Sequence, residues 1–226
     1  MRSLAQQLDD YLEGLIERAD PEIVATIRRA TERWLADKVA GAALKIGDMA
    51  PDFTLPDQSG NLVSLSAKLR RGPVVLTFFR GGWCPFCMIS LRALAKAYPE
   101  LRRHGAVMLA ISPQPPPQSA SMVECSALPF PVLSDHDNQV ARRYGLVVTM
   151  PPDLQAVYRR LGHDLPAING VPGWELSMPA GYVIAPGDGR PGDGRIVLAH
   201  VDPRIHLRLE PADALAAVKR LTLAAE

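Results

Sequence analysis

Two hydrophobic periods alternate along this chain. Residues 4 to 18 set Leu4, Leu8, Tyr11, Leu12, Leu15 and Ile16 at helical spacing with charged residues between them, which predicts an amphipathic helix. A second helix is expected from Asp20, a side-chain cap followed by Pro21 in the first turn, through Ile23, Ile27, Trp34, Leu35 and Val39 to about Gly41. The apolar faces of this pair need cover. Packing on their own domain is the favoured arrangement; a homodimer formed through these N-terminal helices is the other, and Trp34 belongs to the core or the interface in either case.

The period shortens after Lys45. The stretch from Ile46 to Asp57 and the run Leu62-Val-Ser-Leu65, split by a Ser-Gly-Asn turn, predict strand, turn and strand. Val74, Val75, Leu76, Phe78 and Phe79 then form a nearly unbroken apolar run of β-branched and aromatic residues, as a central parallel strand buried on both faces does. Arg80-Gly-Gly breaks it. Met88, Leu91, Leu94, Tyr98 and Leu101 recur at three and four, so a helix starts near Pro85 and closes by Gly105, and Ala106 to Ser112 is a second buried strand. Strand, helix and strand at this spacing make a βαβ unit with a right-handed crossover.

Further on, Pro113 to Gln118 reads as a rigid loop and Ser119 to Leu128 as a helix whose Cys125 is expected to be a small buried hydrophobe, with a resolving thiol as the alternative. A short strand at Phe130 to Leu133 and a short helix at Asn138 to Tyr144 follow. Met150 to Gly173 is rich in Pro and Gly with one expected helix, Asp153 to Leu161, and reads as an excursion that covers or shapes the approach to the site. Tyr182 to Ile184 and Arg195 to Val201 form a hairpin. Its link is a tandem Pro-Gly-Asp-Gly-Arg, residues 186–190 and 191–195, read as a lengthened exposed turn because a phosphate cradle would need strand, loop and helix around it. Pro211 opens a last helix carrying Leu215, Val218 and Leu221.

The candidate chemistry sits where the first buried strand meets its helix. Trp83-Cys84-Pro85-Phe86-Cys87 puts two thiols three residues apart on the first helical turn, where free backbone N–H groups and the helix dipole favour the thiolate, the species that attacks disulfides and peroxides. Cys84, further out, is expected to be the more exposed sulfur. Three other readings compete. Half of a zinc site lacks partners, since the remaining cysteine is Cys125 and no His stands at finger spacing. Covalent haem attachment needs His where Met88 stands. A static structural disulfide over so short a loop restrains the unfolded chain little and is readily reduced. The five histidines, at 104, 136, 163, 200 and 206, form no ligand spacing, and neither a metal nor a cofactor is expected.

Composition mostly excludes. A net charge of +1 over 226 residues gives no electrostatic case for nucleic acid or an anionic membrane. Asp9 and Asp10 interrupt the N-terminus before any apolar run develops, and no stretch reaches a membrane span, so a soluble cytoplasmic protein is expected.

The chain resembles the peroxiredoxin-like (AhpC/TSA) branch of the thioredoxin superfamily. The resemblance is carried by Ala50-Pro-Asp-Phe-Thr-Leu-Pro56, Phe79-Arg-Gly-Gly-Trp-Cys-Pro-Phe-Cys87, Leu133-Ser-Asp135 with Val140-Ala-Arg-Arg-Tyr-Gly145, and Met178-Pro-Ala-Gly-Tyr-Val-Ile184. It implies an α/β thioredoxin-like fold, a central mixed sheet flanked by helices, over residues 44–226, with residues 1–43 as an N-terminal helical extension. It also implies a thiol-dependent peroxidase that reduces hydroperoxides through a Cys84/Cys87 dithiol–disulfide cycle, re-reduced by a thioredoxin- or glutathione-type donor. The alternatives are a protein thiol–disulfide oxidoreductase and a non-catalytic redox sensor or interaction protein.

Two departures from the peroxiredoxin pattern stand out. If Cys87 takes the place of the family's attacking cysteine, Cys84 stands where a threonine is usual and Arg80 where a proline is; the late arginine that supports the thiolate is replaced at Pro179. Here the sequence is closer to thioredoxin, which implies a cis bond before Pro179 and places Met178 and Pro179 on the substrate wall. Thioredoxin logic makes Cys84 the attacker and the peroxiredoxin alignment makes it Cys87; expected exposure favours Cys84. Arg80 is either a donor to thiolate or peroxide oxygens or a surface residue at a strand end, and Trp83 packs beside the dithiol and keeps water from one flank.

Overall fold

The structure is a computed structural model that describes residues 2–187, 190 and 192–223. The predicted tandem turn is interrupted at 188, 189 and 191, which lie outside the described residues. In chain order the elements are α1 (Leu4–Arg18), α2 (Pro21–Ala36), the hairpin β1 (Thr54–Pro56) and β2 (Leu62–Ser64), α3 (Leu65–Leu69), β3 (Val74–Phe78), α4 (Pro85–Arg103), β4 (Val107–Ser112), α5 (Pro116–Ser126) and β5 (Val132–Ser134). There follow α6 (Gln139–Arg143), β6 (Val147–Thr149), α7 (Pro152–Arg160), α8 (Leu165–Asn169), β7 (Glu175–Ser177), β8 (Ala180–Ala185), β9 (Arg195–Val201) and α9 (Pro211–Leu223).

The main sheet has the order β5-β4-β3-β8-β9, with β3, β4 and β5 parallel and β8 and β9 antiparallel to their neighbours. Period two sorts its side chains. Val75, Phe79, Met108 and Ala110 face a core completed by α4, α9 and α1, while Val74, Leu76, Phe78, Leu109 and Ile111 face one that holds Tyr144, Tyr182 and Ile196. Both faces are buried, as the unbroken apolar run at 74–79 predicts. The sheet is mixed and flanked by helices, the thioredoxin-like arrangement.

The N-terminal helices use their apolar faces within the chain. Ser3 and Gln6 close a reciprocal cap on α1, and Leu4 and Leu8 bury against the α4 side of the core. Asp20 caps α2 through the Glu22 N–H, and Ala30 and Trp34 bury with Leu154 and Val157 of α7. α2 stops at Ala36, with Asp37 as its cap, and the chain continues to Ala42 as a 3₁₀ turn, so the expected end near Gly41 merges two elements.

Three readings of the middle of the chain are corrected. α5 begins at Pro116 inside the supposed loop, because prolines in a first helical turn forfeit no hydrogen bond. Its Cys125 is exposed, since this edge helix buries little beyond Ser119. The excursion from 150 holds a second helix, α8, and is framed by a ribbon of β6 and β7 paired Val147↔Ser177; each piece is too short to leave a period in the sequence.

The motif Leu133-Ser-Asp135 with Val140 to Gly145 builds scaffold. Asp135 accepts the Val140 and Ala141 N–H groups at 2.9 and 2.8 Å, and the Tyr144 hydroxyl donates to the Pro51 carbonyl at 3.1 Å. Gly145 has φ +69°, and a Cβ there would lie 2.0 Å from the Ala42 carbonyl oxygen. Gly145→Ala is therefore expected to lower stability by more than about 1 kcal/mol, read as a fall in the urea midpoint with an unchanged slope.

Candidate active site

Ladder register brings the site together at the C-terminal end of β3. Phe78 pairs with Ile111 on the parallel side and with Ala180 on the antiparallel side, so Arg80 and the glycines after it emerge between Pro113-Gln114 and Met178-Pro179. Thr77 Oγ1 donates to the Ala180 carbonyl at 3.1 Å and locks that flank. Gly82 N–H donates to Gln114 Oε1 at 2.6 Å, and Gly81 has φ +140° with no room for a Cβ beside Trp83 and Gln114. This tight turn delivers Cys84 as the N-cap of α4, with Pro85 at its first position and Cys87 within the first turn.

Cys84 and Cys87 are each only 1% exposed, so the expectation that Cys84 is the accessible sulfur is not met. Both are free thiols. They pack in the apolar cluster that α4 shares with the sheet, and two guanidinium groups flank them there. Arg80 is 2% exposed, which removes the reading of a surface arginine. Arg208, from the segment between β9 and α9, brings Nη2 to 3.9 Å from Cys87 Sγ.

These neighbours split the two thiols. Burial alone would push Cys87 up, but a hydrogen bond from Cys84, the Arg208 charge, the Arg80 backbone N–H and the Arg80 charge together bring it down to about 5. Cys84 is held well above the ordinary thiol range, chiefly because its S–H is committed to Cys87, then by burial and by the adjacent negative sulfur. The asymmetry favours a Cys87 thiolate that accepts a hydrogen bond from the Cys84 thiol. Arg80 stays charged: burial opposes it, but Tyr158 and the two sulfurs outweigh the burial. Burial and both sulfurs raise Tyr158, against the Arg80 charge, so its hydroxyl is neutral.

The wall is built from the excursion. Arg80 Nη1 donates to the Tyr158 hydroxyl at 3.3 Å, while Arg80 Nε and Trp83 Nε1 are buried without a hydrogen-bond partner among the described residues. Half-buried Trp83 stands edge-on to Tyr158, ring centres 5.7 Å apart, and tilted on His163 at 5.0 Å. Met178 and Pro179 are buried at the end of β8. The bond between them is trans, since the described residues contain no cis peptide; Met178 N–H is committed to the Leu146 carbonyl at 2.7 Å and the chain runs directly from β7 into β8.

Sequence reading missed Arg208 and Tyr158. Arg208 lies 121 residues from Cys87 and in no motif. It is pinned by its neighbours: Leu209 packs over Gly181, where a Cβ would come within 2.7 Å of it, and Glu210 accepts the Leu4 and Ala5 N–H groups at the start of α1 at 3.1 and 2.6 Å. The one signal was a charged residue inside the apolar alternation Leu207-Arg-Leu209. Among the described residues no group of three or more His, Cys, Asp or Glu is placed to hold a metal, and no helix is long and apolar enough to cross a membrane.

A thioredoxin-like sheet carrying a thiolate–thiol pair between two guanidinium groups defines a thiol-based oxidoreductase. The sequence model of the AhpC/TSA family matches residues 46–187, well over half of the chain, and the protein belongs to that family as a thiol peroxidase of the peroxiredoxin type. A putative peroxiredoxin of Mycobacterium tuberculosis is 38% identical over 106 residues, covering 46% of this chain and 67% of the relative. Peroxiredoxin Bcp of Escherichia coli is 35% identical over 103 residues, covering 46% and 65%. The chain thus spans about two thirds of these relatives' length.

Two solved structures share the fold. Peroxidoxin BcpB of M. tuberculosis aligns with a TM-score of 0.60 at 24% identity, over 79% of this chain and 98% of that one. A putative thiol:disulfide interchange protein DsbE of Chlorobium tepidum aligns with a TM-score of 0.51 at 24% identity, over 81% and 99%. Peroxidase and interchange proteins occur on this fold alike.

Proposed function

We propose that the chain reduces hydroperoxides with Cys87 as the attacking thiolate and Cys84 as the resolving thiol, the reverse of the order that expected exposure favoured. The observation that carries this is the set of donors converging on Cys87 Sγ: the Cys84 thiol, the Arg80 backbone N–H and the Arg208 guanidinium. Cys87 attacks the peroxide, an S–O bond forms as the O–O bond breaks, and the alkoxide leaves beside Arg80 and takes a proton from water. Cys84 then attacks the sulfenic sulfur, water leaves and the disulfide closes. Two thiols of a thioredoxin- or glutathione-type donor restore the pair. The sum is ROOH plus two thiols giving ROH, water and a disulfide.

Arg80 serves as the clamp on the peroxide oxygens. It is a buried cation whose side chain, among the described residues, makes a long hydrogen bond to Tyr158 and leaves its Nε–H unpartnered. Trp83, Met178 and Pro179 form the wall around it. Residues 1–43 are read as an extension to a thioredoxin-like domain at 44–226. The cis packing of α1 and α2 supports docking within the chain over a homodimer through these helices.

The test is the pH dependence of the first step. Because Cys87 is depressed, the thiolate persists above its own value and is lost as the pH falls through it. The rate of sulfenic acid formation is expected to be flat from pH 8 to pH 6 and to fall through about pH 5, followed by single-turnover peroxide loss with mass-spectrometric trapping. A midpoint near the free thiol value of about 8.5 would overturn the assignment.

A further inference from the structure

Both sulfurs are nearly sealed, yet both must react with molecules from outside. On the Arg80 side residues 150–174 lie against the groups that flank the sulfurs, through Tyr158 on Arg80 and through Tyr158 and His163 on Trp83. This excursion leaves and rejoins the domain through the β6–β7 ribbon, and its neck is closed by Met150 N–H on the Trp174 carbonyl at 2.8 Å. The outer side of α7 is not free either. Ala30 and Trp34 of α2 pack with Leu154 and Val157, Arg33 reaches both Asp153 oxygens at 3.0 and 2.9 Å, and Arg160 reaches Asp20, the cap of α2, at 3.3 Å. α2 lies before the family-matched region.

We propose that residues 150–174 are a hinged cover on the dithiol, that α2 is its latch, and that the latched cover sets substrate size. Small hydroperoxides and small thiols reach the sulfurs with the cover nearly closed, whereas bulky hydroperoxides and protein thiols react only when α7 leaves Arg80 and Trp83. The forces fit a cover that opens. The latch ion pairs are exposed, Arg33 and Asp153 at 50% and 41% and Arg160 and Asp20 at 57% and 43%, so they hold weakly and are screened by salt. Opening also lets water reach two buried N–H donors, Arg80 Nε and Trp83 Nε1, that the closed state leaves unpaired. Apolar contact with α2 is what returns the cover. The size selection rests on the peroxidase reading; the cover itself does not.

The test compares access for two thiol reagents. In a Cys125→Ser background, which removes the exposed thiol, the reduced chain is alkylated by iodoacetamide and by a polymer-tagged maleimide, and modification of residues 84 and 87 is timed by mass spectrometry. Arg33→Ala with Arg160→Ala is expected to speed the bulky reagent roughly fivefold relative to the small one and to quicken amide exchange in α7, and 1 M salt is expected to raise the same ratio in the unaltered latch. Equal slowing of the two reagents relative to their rates on a free thiol before any change, or a ratio unmoved by both treatments, overturns the cover. Alkylation needs no peroxide, so this result stands apart from the peroxidase reading. If the cover is upheld, the same pair of substitutions raises turnover of a bulky aromatic hydroperoxide over that of hydrogen peroxide; an unchanged ratio overturns the size selection.

Discussion

Cys87→Ser is expected to cut peroxide consumption by roughly 10³-fold or more, while Cys84→Ser still consumes one equivalent and halts with a sulfenic acid on residue 87. The asymmetry follows from the site. Cys87 collects the donors and the positive charge, and Cys84 contributes the proton that stabilises it. A serine at 84 keeps an O–H for that role, so the first step survives and the second is lost. Cys84→Ala removes the donor as well and is expected to slow the first step too. Trapping by a dimedone-type reagent, with the modified residue read by mass spectrometry, checks both. Sulfenic acid on Cys84 of the Cys87→Ser protein, formed at the unaltered rate, would sink the order of attack.

Arg208→Met should move the Cys87 midpoint up by about 1–2 pH units, the usual effect of one charge at this distance. From about 5, that places it at about 6–7, so the rate at pH 6 falls by up to about 10-fold and the loss shrinks toward pH 8. Methionine keeps most of the bulk, and Arg208→Lys, which keeps the charge without the fork, should restore much of the midpoint. A purely structural role for Arg208 would lower the rate at every pH and leave the midpoint in place. Stopped-flow measurement across pH 4 to 9 separates these outcomes.

Much of the fold was legible because its signals are local. The run Val74 to Phe79, the three-and-four spacing from Met88 to Leu101 and the caps at Asp20 and Pro85 each state an element within a few residues. The dithiol was legible for the same reason, since i, i+3 spacing and a helix start are contained in Trp83 to Cys87. Exposure was not. Position at a helix tip places Cys84 outermost along the chain, but burial depends on packing from far away in sequence, which also brings Tyr158 to Arg80 and Arg208 to Cys87.

The sequence by itself determined that two sulfurs stand on one helical turn after a buried strand, and that this strand belongs to a thioredoxin-like sheet. Only the tertiary structure decided which groups converge on each sulfur. Charge acts through space: Arg208 reaches Cys87 because Gly181 admits Leu209 and Glu210 holds the start of α1. None of those contacts leaves a periodic trace in the chain, because each joins residues that neither propensity nor spacing relates.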